Sequence, residues 1–241
     1  MADIPSLEPH DFWQELIPAD APLPVDDDSG YVDFYPARFP DGRRLLLPLR
    51  QLPGHRDRAV ASLIANQASF PVEGALVEGM TAIARRYEPE VVVGLPTLGL
   101  SLARGVAKAL GHSRYVPLGT SRKFWYREEL SVPCSSITSP GTGKRLYVDP
   151  RMLPLLDRRK VAVVDDVIST GTSIRAALDL LSLAGVEPAC ILTAMVQTER
   201  WRSVLEEIRP DLPDCVHGVL RSPLFRYRDG RWHPDAPMGP N

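Results

Sequence analysis

The stretch VAVVDDVISTGTS, residues 161–173, decides how this chain is read. Its first four residues, Val161, Ala162, Val163 and Val164, are apolar and mostly β-branched, which predicts a strand buried on both faces. That strand ends at two adjacent carboxylates, Asp165 and Asp166. Val167 and Ile168 follow, then a small polar turn, Ser169-Thr170-Gly171-Thr172-Ser173, which opens a helix striped by Ile174, Ala177, Leu178 and Leu181. A helix start presents unpaired amides and the positive end of the helix dipole, and so attracts anions. Gly171 lets the backbone come close to a phosphate, while Thr170, Thr172 and Ser173 carry hydroxyl donors. The two carboxylates suit sugar hydroxyls or a hydrated Mg²⁺. Asp, Ser and Thr are also ordinary caps at strand–helix turns, so the information lies in the whole string.

Outward from this stretch, strands and helices alternate. Downstream come a strand over 189–192, a helix face of Trp201, Val204, Leu205 and Ile208, and a strand over 216–220. Upstream, helices are expected near 56–67, 73–87 and 99–110, with strands over 91–95 and 115–118. Leu76, Met80, Ile83 and Tyr87 share one helix face; Leu102, Val106, Ala109 and Leu110 share another, stopped by Gly111. Residues 120–147 lack a period and read as loop. The fold class is α/β, a parallel doubly wound sheet. In such sheets ligands sit beyond the carboxyl ends of the strands, at the point where strand order reverses. Segments 94–99, 120–147 and 165–173 lie there. Two Asp-Gly turns, at Asp41-Gly42 and Asp229-Gly230, predict β-hairpins flanking the core, with Val32 to Tyr35 facing Leu45 to Leu47, and Phe225 to Tyr227 facing Arg231 to His233. The expected division is 1–54, an extended hairpin region; 55–220, the α/β core; and 221–241, a second hairpin and tail. Proline, 24 of 241 residues, is concentrated at the two ends, where extended or looped chain follows.

VVDDVISTGTS resembles the signature of the type I phosphoribosyltransferases that binds 5-phosphoribosyl 1-diphosphate (PRPP): an apolar strand, two acids, two apolar residues and a small-residue phosphate loop. The likeness covers about residues 91–197. It implies that Asp165 and Asp166 engage the 2′- and 3′-hydroxyls and a Mg²⁺ ion, and that Ser169, Thr170, Gly171, Thr172 and Ser173 cradle the 5′-phosphate. Gly94-Leu95-Pro96-Thr97-Leu98-Gly99 is similar to the family's pyrophosphate loop. By that likeness Thr97, Leu98 and Gly99 meet the diphosphate, with a cis peptide expected at Thr97-Leu98. Relatives often carry Lys or Arg where this chain has Leu98. Arg122 and Lys123 resemble an Arg-Lys pair of the adenine-type enzymes whose lysine meets the PRPP phosphates. Beyond them, residues 131–146 would be a mobile hood, with Gly141 and Gly143 as hinges and Lys144 and Arg145 bringing positive charge. The hairpin regions would add to the hood, and Phe34, Tyr35, Phe39, Phe70, Phe124, Trp125 and Tyr126 are candidates for stacking on a base, though each such aromatic is more often a core or packing residue. Ser169 stands where the 6-oxopurine enzymes have a third Asp, which favours an adenine-like acceptor over hypoxanthine or guanine; the serine-tyrosine-glutamate pattern of adenine-type hoods is missing at Ser135-Ser136-Ile137-Thr138.

The implied reaction is transfer of ribose 5-phosphate from PRPP to a nitrogenous base with release of pyrophosphate. The alternative is a PRPP-sensing regulator without turnover, which Leu98 keeps open. A net charge of −2 and the mixing of both signs argue against a nucleic-acid partner. A P-loop is excluded because Thr138 stands at its first glycine and Arg145 follows Gly143-Lys144; the turn after Leu95 has no GxGxxG. Cys134, Cys190 and Cys215 form no paired spacing, and neither a signal peptide nor a membrane-length apolar run is read. A cytoplasmic protein is expected, with a homodimer implied by the likeness.

Overall fold

The computed structural model describes residues 7–23, 25, 28–134 and 144–236. In chain order its strands and helices are β1 (Phe34–Arg38), β2 (Arg44–Gln51), β3 (Arg58–Ala61), α1 (Phe70–Ala84), β4 (Val91–Gly94), α2 (Gly99–Ala109), β5 (Val116–Pro117), β6 (Ser131–Pro133), β7 (Arg145–Tyr147), α3 (Leu153–Leu156), β8 (Val161–Ile168), α4 (Thr172–Leu183), β9 (Pro188–Gln197), α5 (Trp201–Glu206), β10 (Val216–Ser222), β11 (Leu224–Arg228) and β12 (Arg231–Pro234).

The central sheet is parallel, in the order β10-β9-β8-β4-β5. Its strands are buried on both faces because successive side chains point opposite ways. Val92, Ala162, Val164 and Leu192 face α1 and α2, joining Leu76, Met80, Leu102 and Val106. Val93, Val161, Val163 and Ile191 face the other layer, joining Ile174, Leu178, Leu181 and Trp201. Such a three-layer arrangement makes the apolar runs of β4 and β8 necessary. From β4 the chain steps outward to β5, then returns to place β8, β9 and β10 on the other side of β4. The strand order therefore reverses between β4 and β8. No helix among the described residues is long and apolar enough to cross a membrane.

Both Asp-Gly hairpins form, and they join one second sheet: β1-β2-β3-β11-β12, all antiparallel. An isolated bridge between Tyr31 and Trp232 brings the two edges of that sheet together. Its inner residues Phe34, Leu45, Leu47, Ala59, Ala61 and Phe225 share a core with α1, α2 and β10. Gln197, at the end of β9, donates from Nε2 to the carbonyl of Ala61 at 2.7 Å, which ties the two sheets together.

Four expectations need correction. The helix expected near 56–67 is β3 followed by a single 3-10 turn, Ala65–Gln67. Ala59 and Ala61 alternate inward and their backbones pair with β2 and β11, so sheet pairing overrides alanine's helical preference. The loop expected over 120–147 contains the antiparallel pair β6–β7, with Val132 opposite Leu146. The strand expected to end at Asp165 runs on to Ile168, because Thr193, Met195 and Val196 of β9 continue its ladder. The cis peptide lies at Pro96-Thr97 rather than Thr97-Leu98.

Candidate functional site

β4 pairs with β8 only as far as Gly94 opposite Val164, after which Leu95 N donates to Val164 O at 2.9 Å. Past this point β8 keeps β9 as a neighbour, and the chain leaves β4 through the turn 95–98. Asp165 and Asp166 lie in β8 just beyond its last pairing with β4. Asp165 is buried and Asp166 half-buried. The amide of Asp166 donates to Oδ1 of Asp165 at 2.9 Å. Burial pushes the Asp165 carboxyl well above the usual carboxylate range, and the charge of Asp166 adds to the effect. Asp166 is also pushed up by burial, offset in part by a hydrogen bond from the Asp165 side chain. In the ligand-free protein the pair therefore resists carrying two charges, as close carboxylates do.

Gly99, the first residue of α2, packs directly on this pair. A methyl group there would lie 2.8 Å from the Asp165 Cα and 2.9 Å from its Oδ1. Only glycine lets the turn Thr97-Leu98 and the start of α2 approach so closely. Thr97 is exposed and Leu98 half-buried; no side chain caps α2, whose Leu100 amide donates to the Thr97 carbonyl at 3.4 Å.

Gly171 caps α4 with φ +81°, a left-handed conformation that glycine adopts without strain. Its α carbon lies against the backbone of Trp201, and an added methyl would stand 3.2–3.3 Å from it. The loop is braced from behind by the β9–α5 turn: Thr198 Oγ1 donates to the Ser169 carbonyl at 3.4 Å, and Trp201 Nε1 to the Thr198 carbonyl at 3.0 Å. The hydroxyls of Thr170 and Thr172 meet at 3.0 Å. The bracing residues Thr198 and Trp201 were not legible as site residues; Trp201 reads as core from its helix face, and it is buried. A left-handed Thr198, φ 60°, has no sequence signal.

The basic candidates are less tightly held. Arg122 lies 3.6 Å from Glu128, and both it and Lys123 are exposed beyond β5. Among the described residues no hydrogen bond or ion pair joins Lys123 to the carboxylates or to the 169–173 loop. Lys144 is exposed, and its carbonyl accepts from Cys134 N at 2.9 Å. Burial raises the Cys134 thiol, the charge of Asp165 adds to this, and Lys144 lowers it. Arg145 does not offer a free charge: it donates to Ser131 and lies 3.2 Å from Glu128. Ser135 to Gly143, with the expected hinges Gly141 and Gly143, lie outside the described residues. Of the aromatic candidates, Phe34 and Phe39 are buried in the core, Tyr35 packs edge-on against Tyr31 and Phe225, and Tyr126 rests on Tyr147. Phe70 is exposed at the start of α1, and Phe124 and Trp125 are exposed beside Lys123.

Among the described residues no three acids, histidines or cysteines cluster as a self-sufficient metal site. Asp165 and Asp166 supply adjacent hard oxygen donors of the kind that suits Mg²⁺.

Residues 71–209 match the family model described as phosphoribosyl transferase domain. The chain belongs to the phosphoribosyltransferase family. Among curated relatives, the phosphoribosyltransferase core is 32% identical over 136 residues to the orotate phosphoribosyltransferase of Cupriavidus necator, covering 56% of this chain and 52% of that protein. It is 34% identical over 157 residues to the bifunctional protein PyrR of Streptomyces coelicolor, covering 61% of this chain and 74% of the relative. The chain thus spans about half the length of the orotate relative. Among solved structures, the APRTase of Giardia lamblia complexed with 9-deazaadenine superposes with a TM-score of 0.58 at 21% identity, covering 73% of this chain and 93% of that one. That likeness establishes the type I phosphoribosyltransferase fold, with the antiparallel sheet built from the two terminal regions.

Proposed function

We propose that this chain transfers ribose 5-phosphate from PRPP to a ring nitrogen of a nucleobase and releases pyrophosphate. The observation that carries this reading is the packing of Gly99 on Asp165, which sets the start of α2 against the carboxylate pair at the ends of two adjacent strands, one of which, β8, runs on into the Gly171 turn. One ligand with an anion at each end and hydroxyls between them suits that arrangement. The amides and hydroxyls of Ser169, Thr170, Gly171, Thr172 and Ser173 take the 5′-phosphate at the start of α4. Asp165 and Asp166 accept from the 2′- and 3′-hydroxyls. Thr97, Leu98 and Gly99 present the first amides of α2 to the pyrophosphate, and Arg122, Lys123 and Lys144 add charge from the rim. When bound, Mg²⁺ neutralises part of the pyrophosphate charge, with Asp165 and Asp166 as its protein partners.

In the reaction the C1′–O bond to pyrophosphate breaks and a C1′–N bond forms, with the base's proton passing to solvent or to the leaving group. Positive charge builds at the sugar ring, as in glycoside cleavage. Carboxylates fixed beneath the ribose favour that charge, and fixed amides hold the departing anion without reorganisation. The region outside the core, 1–54 and 221–241, is assigned to the hood over the base.

Two acceptors are in contention. Ser169 at the first position of the loop speaks for an adenine-like base, whereas the identity to orotate enzymes speaks for a pyrimidine. A second reading, a PRPP sensor without turnover, is favoured by Leu98 in the pyrophosphate turn. Incubation with Mg-PRPP and adenine, orotate, uracil or hypoxanthine separates them. Pyrophosphate release with one base supports the transferase; thermal stabilisation by PRPP with no release for any base supports the sensor; neither effect overturns both.

A further inference from the structure

The chain between β5 and β6 carries Arg122 and Lys123, and its one regular piece is a 3-10 turn, Glu128–Leu130. It leaves the sheet at the same end as the carboxylate pair. Pro117, Gly94 and Val164 stand level across three neighbouring strands, and Asp165 follows Val164. At its start Gly119 and Tyr147 exchange backbone hydrogen bonds at 3.0 and 2.8 Å. At its end Val148 N donates to the Leu130 carbonyl at 3.3 Å.

Between these ties the Tyr126 amide donates to the Lys123 carbonyl at 3.0 Å, closing a turn with Phe124 and Trp125 at its centre. The Trp125 ring fastens that turn to the chain after β7. Its Nε1 donates to Oδ2 of Asp149 at 3.2 Å, and the Arg151 guanidinium stands 4.6 Å from the ring centroid. Asp149 is itself fixed by Arg151, which donates from its amide and from Nε to Oδ1, each at 3.0 Å. Just before Asp149 the chain is part of the core: Leu130, Leu146 and Val148 pack with Ile174, Ala177 and Leu178 of α4. That helix opens at the Gly171 turn. A connected path of contacts therefore runs from α4 to the backbone of Lys123.

We propose that Trp125 is a positioning residue, holding Lys123 where its ammonium meets the pyrophosphate end of PRPP; the inference rests on the PRPP reading above. A lysine stem has many rotamers, and a wandering backbone beneath it would add to the ordering that binding requires. Fixing the turn before the ligand arrives removes that part of the cost from the binding step. Indole serves both contacts at once, with an N–H on its edge for Asp149 and a face for Arg151, whereas phenylalanine keeps only the face. The role needs no contact between Trp125 and the ligand.

The test is calorimetry on the full chain with Mg-PRPP and with ribose 5-phosphate, which lacks the diphosphate, for wild type, Trp125→Phe, Lys123→Gln and the double variant. Trp125→Phe is expected to weaken Mg-PRPP about tenfold, as the ordering of about one residue returns to the binding step, and to leave ribose 5-phosphate affinity unchanged. In the Lys123→Gln background the same substitution should change Mg-PRPP affinity by less than about twofold, since a residue acting through Lys123 has nothing left to position. Arg151→Gln loosens the ring from its other face at an exposed guanidinium. It should reproduce the cycle at the wild-type melting temperature, which keeps the proposal decidable if Trp125→Phe is destabilised. A second full loss in the double variant, an equal loss for ribose 5-phosphate, or unchanged Mg-PRPP affinity in Lys123→Gln or in both ring variants overturns the proposal. A wild type that does not bind Mg-PRPP sinks the PRPP reading and this inference with it, whereas a wild type that binds it and gives an additive cycle sinks the positioning role alone.

Discussion

At Asp165, burial and the neighbouring charge of Asp166 both oppose ionisation. A group whose folded pKa is raised binds its proton more tightly in the folded chain, so its ionisation above that pKa costs stability. Asp165→Asn keeps the oxygen that accepts from the Asp166 amide and removes the charge. The variant is expected to melt higher than wild type at pH 7, by about 2–4 °C for each kcal/mol relieved, while Mg-PRPP affinity, measured by calorimetry, falls at least about tenfold, the equivalent of one lost charge-assisted contact. A lower melting temperature together with unchanged affinity would mean that the carboxylate serves the fold rather than the ligand. Gly171→Ala works in the opposite direction. It forces a left-handed alanine against the Trp201 backbone, and a loss of about 1–3 kcal/mol is expected in urea unfolding. Full stability in this variant would show that the turn does not need its glycine.

Elements were legible where one signal dominated. β4 and β8 are β-branched runs, and α2 and α4 carry clear apolar stripes, so their positions follow from side-chain period. β3 reads as helix because Ala-Val-Ala has no strong strand signature and one of its two partners, β11, lies far away in the chain. β6 and β7 are three residues each and are defined by each other, not by composition. Asp165, Asp166 and the 169–173 turn stand out in the sequence for a chemical reason, the combination of paired acids with a small polar turn at a helix start, and the roles given to them belong to the proposed function. Their support from Thr198 and Trp201 depends on how β9 ends, which no local pattern encodes. The segment between β7 and α3 carries its own prediction. Asp149 caps the short turn Pro150–Met152, receives Arg151, and accepts from Trp125 Nε1 at 3.2 Å. The Arg151 guanidinium lowers its carboxyl to about 2. A depressed folded pKa contributes stability fully above the ordinary value near 3.8 and loses it as pH falls through about 2. Acid unfolding followed between those values should shift to higher pH in Asp149→Asn, with a change in tryptophan emission as Trp125 loses its acceptor. An unchanged acid transition would show that the contact contributes nothing.

Across the whole molecule, the proposed PRPP site spans two helix starts on different elements, α2 and α4, so occupancy should act on the cooperative unfolding of the core rather than on one loop. At a hundredfold excess over its dissociation constant the ligand is expected to stabilise the chain by about 2.7 kcal/mol, or roughly 5–11 °C in melting temperature for a chain of this size. Ribose 5-phosphate alone should give less, because it leaves the 97–99 turn unfilled, and an equal shift from both would argue that this turn has no part in binding. The antiparallel sheet joins β1, β2 and β3 to β11 and β12, elements that lie on either side of the parallel core in the chain. The claim on which the rest depends is that the loop opening α4 holds the 5′-phosphate of PRPP. A crystal structure of the chain soaked with Mg-PRPP tests it directly: the account predicts phosphate oxygens within hydrogen-bond distance of the Ser169 to Ser173 amides and hydroxyls, with the ribose over Asp165 and Asp166, whereas a phosphate bound elsewhere, with this loop turned away from it, would contradict the account.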